Sequence, residues 1–369
     1  MDSSATRCSF HLSCSGCSLW AVPDQRAIKE ARFLAALREK GLSEPASISW
    51  ADLPDRGLRD RLDFQIQEGR LGLFHQADSR TIVDLPICLQ LSPALQSWLT
   101  DFRALSIPLR RGSVRLRISP SGERGVWLDL ANEDVKELFE EKTFLRTLSE
   151  FAWVEIGQRR KKFVFHDDRP KLLKDPVHHV WTETWIGDES LPLLSRLGDF
   201  SQVGHTANRA ILDSLARLFP TSKRTLEFGA GTGNLSFAAA EKSDKLIATE
   251  FDSSSAEAFR LNLETFVTRR PEKQNAIQLQ VGDFRRRSLP PAGVDTLLVN
   301  PPRSGTGEFL RELADSAETT NLIYMSCFPE SMLEDLSRFA KDWICEELIL
   351  IDQFPQTEHV EIMGRWRRP

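Results

Sequence analysis

Apolar and polar positions along the chain change rhythm three times. In the segment AIKEARFLAALREKG, residues Ile28, Ala31, Phe33, Leu34 and Leu37 fall on a helical period and Gly41 follows, which predicts one amphipathic helix with a glycine stop. The runs RLDFQIQ and RLGLFH then alternate as strands do. From about residue 91 to 188, SVRLRIS, VWLDL and KFVFH predict strands around a helix at EDVKELFEEKTFLRTL. From 189 onward the unit is strand, turn, helix: RTLEFGAG into NLSFAAAEKS, KLIATEFD into AEAFRLNLETFV, VDTLLVNPPRSG into EFLRELADSA, and NLIYMSCFP into SMLEDLSRFAKD, followed by EELILIDQF and HVEIMGRW. Wholly apolar runs such as TLLV and LIYM belong to strands buried on both faces. The expected fold class is therefore α/β, with a doubly wound, Rossmann-like C-terminal domain (189–369), a central α+β region (91–188) and an N-terminal region (1–90). Ligands of such sheets bind beyond the carboxyl ends of the strands, and the motifs below lie at those ends.

Composition narrows the class. The 369 residues contain no repeat and no apolar run of the roughly 18 residues that would span a bilayer. The opening MDSSATRCSF lacks the basic and apolar stretches of a secretory signal, so the expected location is the cytoplasm, away from membranes. A net charge of −5, from 48 Lys plus Arg against 53 Asp plus Glu, argues against a protein that coats nucleic acid by bulk charge. Local basic clusters remain: Arg103, Arg110, Arg111, Arg115 and Arg117; Arg159 to Lys162; and Arg169, Lys171 and Lys174. With Phe163, Phe165 and Trp181 nearby they form a candidate RNA surface, since phosphates need cations and unstacked bases need aromatic faces. Six cysteines in a reducing compartment point to metal binding or catalysis rather than to disulfides.

Four motifs carry chemistry. Glu227-Phe-Gly229-Ala-Gly231-Thr-Gly233-Asn234 is a glycine-rich turn opening a helix, Glu250 ends the next strand in the place of a ribose-binding acid, and Asp283 follows the third. A dinucleotide enzyme would use a similar turn; the order glycine turn, ribose acid, adenine acid favours S-adenosylmethionine. Asn300-Pro301-Pro302-Arg303 ends the fourth strand. Such a turn can aim an amide at a planar base, but exocyclic-nitrogen methyltransferases usually have an aromatic residue where Arg303 stands. Cys327 ends the strand LIYMS. A thiolate adding to uracil C6 would make C5 nucleophilic towards a sulfonium methyl, and a base such as Glu361 would then remove the C5 proton.

The strings Cys8-x5-Cys14-x2-Cys17 with Cys88, DFSQVG around Gln202, GTGN around Asn234, NPPRSG from Asn300 to Gly305, SCFPESMLEDL from Ser326, and DQFPQTEHVE ending at Glu361 run in order along nearly the whole chain. Together they resemble the RNA uracil-C5 methyltransferases, in their iron-sulfur branch. Cysteine spacing suits zinc as well as iron-sulfur; the resemblance implies a [4Fe-4S] cluster on Cys8, Cys14, Cys17 and Cys88. It also implies Cys327 as nucleophile, Glu361 as proton acceptor, and an S-adenosyl-L-methionine site at Gln202, Gly229, Asn234, Glu250, Asp283 and Asn300. Gly229 and Gly204 replace a usual aromatic and a usual asparagine. The resemblance further implies a monomer without an obligate protein partner or the RNA-binding barrel of many members, acting on ribosomal RNA first and transfer RNA second. An exocyclic-nitrogen methyltransferase and a non-catalytic RNA-binding scaffold are the competing classes. Cys345 is expected in the core.

Overall fold

Helix α1 (Gln25–Glu39) buries every fourth residue, Lys29, Phe33 and Leu37. Gly41 adopts a φ of 67°, and Leu42 donates its N–H back to the Leu37 carbonyl, which closes the helix as the glycine stop predicts. The buried stripe is turned from the expected one: Ile28 is exposed, and Lys29 takes a place inside because its ammonium reaches Asp352. A short strand, β1 (Ser47–Trp50), follows. This computed structural model describes residues 8–20, 22–130, 135–158, 161–166, 168–174, 177–283, 292–307 and 316–369.

The middle of the chain forms an eight-stranded sheet, β4-β3-β2-β5-β6-β7-β8-β9. Its members are β2 (Arg61–Gln67), β3 (Arg70–His75), β4 (Asp78–Asp84), β5 (Arg111–Ile118), β6 (Arg124–Asp129), β7 (Trp153–Gln158), β8 (Lys161–His166) and β9 (Arg169–Leu172). Only the β6–β7 pair is parallel, as a helical crossover between them requires. Phe64, Ile66, Val114, Leu116, Val126, Leu128, Val154 and Ile156 alternate onto one face and pack against Leu95, Trp98, Leu99 and Phe102 of α2 (Pro93–Ala104). The single helix expected at EDVKELFEEKTFLRTL is two, α3 (Lys136–Glu140) and α4 (Lys142–Phe151), because Glu141 leaves helical geometry at ψ 57°.

The hairpin β10 (His179–Ile186) and β11 (Glu189–Ser195) leads into α5 (His205–Leu218), β12 (Ser222–Phe228), α6 (Asn234–Ala240), β13 (Ser243–Glu250), α7 (Ser253–Arg269), β14 (Ile277–Val281), β15 (Thr296–Val299), β16 (Asn321–Ser326), α8 (Pro329–Phe339), β17 (Ile344–Ile351) and β18 (Glu361–Arg367). The helix expected at EFLRELADSA lies mostly outside the described residues. The second sheet runs β1-β17-β18-β16-β15-β12-β13-β14, with β18 antiparallel to both neighbours and every other pair parallel. One face carries α1 and α8 over Leu336, Phe339, Trp343 and Cys345, and so Cys345 is a core residue as expected. The other carries the hairpin and α5 to α7 over Leu193, Ile211, Phe237, Phe259 and Phe266. Residues 1–90 thus divide between two sheets: β1 pairs with β17 from Ser47↔Glu347 to Trp50↔Leu350, whereas β2 to β4 belong to the central sheet.

Candidate active site

The parallel strands deliver their motifs to one edge. At the end of β12, Gly229, Gly231 and Gly233 all have positive φ, a conformation that disfavours a Cβ. A Cβ on Gly229 would stand 2.3 Å from the Asn300 carbonyl oxygen. The glycine in place of an aromatic is thus a steric consequence of the turn lying against the end of β15, where the Asn300 N–H donates to the Phe228 carbonyl at 3.1 Å. Glu250, at the end of β13, accepts from Gly231 N–H and Asp252 N–H, each at 2.7 Å. Gly282 N–H donates to the Glu250 carbonyl and brings half-buried Asp283 alongside. Asn234 makes a reciprocal amide pair with Asn208 of α5, at 2.7 and 3.1 Å. Its side chain therefore ties the turn to α5.

Gln202 is half-buried just before α5. Gly204 lies where the chain from Leu58 to Asp60 crosses: a Cβ there would stand 1.9 Å from the Leu58 carbonyl oxygen. Asp60 Oδ2 accepts the His205 N–H at 2.8 Å and so satisfies, from another segment, one of the unpaired donors at the start of α5.

Cys327 and Glu361 lie at the end of one strand ladder. The antiparallel β16–β18 ladder pairs Met325 with Met363 and ends at Ser326 with Ile362; Cys327 follows the last paired residue of β16, Glu361 opens β18, and the Glu361 charge acts on the Cys327 thiol. Glu361 is buried, accepts from Gln353 Nε2 at 2.6 Å, and is pushed by burial up to about 8. Burial and the Glu361 charge push the Cys327 thiol up; Arg303, hydrogen-bonded to it, pulls it down. In the sequence Arg303 stands out only as the residue in place of an aromatic, and no spacing rule links it to residue 327. Cys327 also lines a cleft of about 180 Å³ with Phe33, Phe328, Leu333 and His359. A second residue missed from sequence is Glu227. It is fully buried beneath the glycine turn, with Ser236 beside it and neither carboxyl oxygen in a normal hydrogen bond, and burial followed by the nearby Glu250 charge raises it to about 8.

The basic clusters are mostly engaged elsewhere. Arg103 pairs with Asp84 and Arg115 with Asp63; Arg117 is buried, donating to the Leu197 and Trp181 carbonyls and to Ser201. Phe165 and Trp181 are core residues, and Phe163 packs edge-on against Phe139, so these three do not form the aromatic surface expected of them. Arg159 and Arg160 lie outside the described residues.

Cys8, Cys14, Cys17 and Cys88 are gathered from both ends of the N-terminal region. Cys14 bridges to His75 of β3, and the Cys88 N–H is held by Gln96 Oε1 of α2. Cys17 is raised to about 12 by burial and by the other three thiols, with Arg59 opposing. Among the described residues, no three His, Cys, Asp or Glu side chains are arranged to hold a single metal ion. No helix among them is long and apolar enough to cross a membrane.

The family described as tRNA (uracil-5-)-methyltransferase matches residues 188–366. An uncharacterised RNA methyltransferase of Bdellovibrio bacteriovorus is 39% identical over 372 aligned residues, spanning 98% of this chain and 95% of the relative. A 23S rRNA (uracil(1939)-C(5))-methyltransferase of Chromohalobacter salexigens is 27% identical across 96% of this chain and 74% of its own length. Among solved structures, the Pyrococcus abyssi tRNA (uracil-54, C5)-methyltransferase in complex with S-adenosyl-L-homocysteine shares the fold, with a TM-score of 0.70 at 18% identity over 96% of this chain and 86% of that one.

Proposed function

Because the chain belongs to the S-adenosylmethionine-dependent RNA uracil-C5 methyltransferases, we propose that it methylates a uridine of large-subunit ribosomal RNA in the cytoplasm, with Cys327 as nucleophile and Glu361 as proton acceptor. The observation that supports this chemistry best is that Cys327 and buried Glu361 adjoin the last paired residues of the β16–β18 ladder, Ser326 and Ile362, and interact electrostatically. The Cys327 thiolate, favoured by Arg303, adds to uracil C6 and passes the ring electrons to C5. C5 takes the sulfonium methyl and S-adenosylhomocysteine leaves. Glu361, held by Gln353, accepts the C5 proton in its ionised form; the C–H electrons form the C5–C6 double bond and the C6–S bond breaks. Gln202, Glu250, Asp283 and Asn300 face the donor, while Gly229 and Asn234 shape its turn. The choice of ribosomal RNA follows the Chromohalobacter relative, which aligns along nearly the whole chain; transfer RNA is the second reading, after the family description. Mapping 5-methyluridine in ribosomal and transfer RNA with and without the gene separates them. Cys327→Ala is expected to abolish both methylation and the covalent adduct with 5-fluorouridine RNA, whereas an exocyclic-nitrogen methyltransferase would keep its activity.

We also propose a [4Fe-4S] cluster on Cys8, Cys14, Cys17 and Cys88. The reading rests on the resemblance of the Cys8-x5-Cys14-x2-Cys17 string with Cys88 to the iron-sulfur branch of the family, and is supported by the electrostatic influence of Cys8, Cys14 and Cys88 on Cys17; thiolate ligation suits zinc as well. When bound, such a group supplies cross-links between the N-terminal segment and the loop after β4. Anaerobically purified protein is expected to show thiolate-to-iron absorbance and about four irons per chain; stoichiometric zinc without that band would overturn the assignment.

A further inference from the structure

Between β17 and Glu361 runs a stretch, Asp352 to Gln356, held almost entirely by residues from the start of the chain. Lys29 Nζ donates to Asp352 Oδ1 at 2.6 Å, with both side chains buried, and to the Phe354 carbonyl at 3.3 Å. The Arg59 guanidinium lies 5.6 Å from the centre of the Phe354 ring; the same side chain interacts electrostatically with Cys17 and Cys88. Gln356 is clasped by Gln25, through bonds of 2.7 and 3.0 Å, and its carbonyl accepts the Leu19 N–H at 2.8 Å, two residues beyond Cys17. Within this stretch Gln353 is buried and spends its amide donor on Glu361 Oε2, while its own Oε1 has no partner. The aim of that amide is therefore set by where the backbone of 352–356 is pinned, and a displacement of about 1 Å is enough to slow a positioned proton transfer severely.

We infer that Arg59 and Gln353 are positioning residues for proton removal from C5: the cysteine-bearing segment, through Arg59 and Phe354, fixes the backbone from which Gln353 holds the Glu361 carboxylate in line. The inference rests on Cys327 and Glu361 acting as proposed above. Its consequence is specific to one step. Thiolate addition and methyl transfer do not use this contact, whereas elimination does, so a loosened Glu361 leaves methylated uridine bonded to Cys327.

The full-length protein carrying Arg59→Ala, Arg59→Lys or Gln353→Leu, incubated with uridine RNA and methyl-labelled S-adenosylmethionine and quenched in denaturant, reports the fraction of enzyme trapped as a methylated covalent adduct. Loss of one hydrogen bond to a charged group slows its step by about tenfold or more, so the trapped fraction should rise severalfold in Arg59→Ala and Gln353→Leu, with Arg59→Lys between them and wild type. Donor affinity should stay within about twofold of wild type, since no donor contact is touched. Hydrogen exchange without RNA supplies a readout independent of turnover: amides 353–360 should exchange faster in Arg59→Ala while those of β16 do not. Reduced turnover without trapped methylated adduct, or with parallel loss of donor binding, would overturn the inference. Gln353→Leu conserves volume and adds no charge, so it decides the matter if Arg59→Ala does not fold. A wild-type enzyme that forms no Cys327 adduct would remove the underlying reading instead, and is told apart because the failure appears before any substitution.

Discussion

Glu227 and Glu361 are two buried carboxyls raised to about 8, and they differ in what proton release does for the molecule. Glu361 must be ionised to accept a proton, so the elimination step should accelerate as pH rises through about 8 and then level off, which pre-steady-state decay of the adduct would record. Glu227 has no proposed reaction. Its folded-state value lies above its ordinary 4.5, so the folded chain holds a proton that the unfolded chain releases; that stability is intact below 4.5 and drains away as pH climbs towards 8. At 1.36 kcal/mol per pH unit the loss by pH 7 is roughly 3 kcal/mol. Glu227→Gln should therefore raise the melting temperature clearly at pH 8 and hardly at pH 5, and equal melting curves at the two pH values would contradict it. Cys327, Glu361 and the four N-terminal cysteines stand out in the sequence as candidates because each is a reactive type in a distinctive string. The partners that tune them, Arg303 and Gln353, were not, since a hydrogen bond made across a fold has no fixed spacing along a chain.

Helix α5 shows the same limit one level up. Its periodicity and its approach through Gln202 are visible in the sequence, but its cap comes from Asp60, 145 residues earlier. The glycine at 204 looks like a lost contact until the Leu58 carbonyl is found occupying the space. Asp60→Ala should lower stability by about 1–2 kcal/mol, as loss of a helix cap does, and should also weaken donor affinity measured by calorimetry because Gln202 sits on the loosened turn. Gly204→Asn should be worse than Asp60→Ala, a reversal of what restoring the common residue would suggest. Other elements followed local rules more closely: the strand-turn-helix units of the C-terminal half needed only apolar runs and glycine turns. The break at Glu141 between α3 and α4 had no Gly or Pro to announce it, and Phe165 and Trp181 looked exposed because aromatic residues beside charges read as surface when burial is not known.

For the whole molecule, charge counting misled most. The basic residues of the central region do cluster in sequence, yet Arg103 and Arg115 each pair with an aspartate and Arg117 is buried among carbonyls, so the positive charge of these three is matched at home. Domain limits drawn by texture were also only partly informative, because α1 and β1 complete a sheet made otherwise from the last third of the chain. A fragment of residues 189–369 holds every residue assigned to the reaction but lacks Phe33 and Leu37, whose loss costs about 2–5 kcal/mol each. It should bind a hydrophobic dye and melt without cooperativity, whereas the full chain should not; a cooperative, dye-free fragment would show the N-terminal segment to be dispensable for the core. The pairing of Ser47 with Glu347 also sets a timetable. At about 5–20 residues per second of synthesis, the earliest strand waits roughly a quarter of a minute to a minute for its partner, with one backbone edge and the apolar side of α1 uncovered. A chain cut short before residue 344 lacks the partner of β1 altogether.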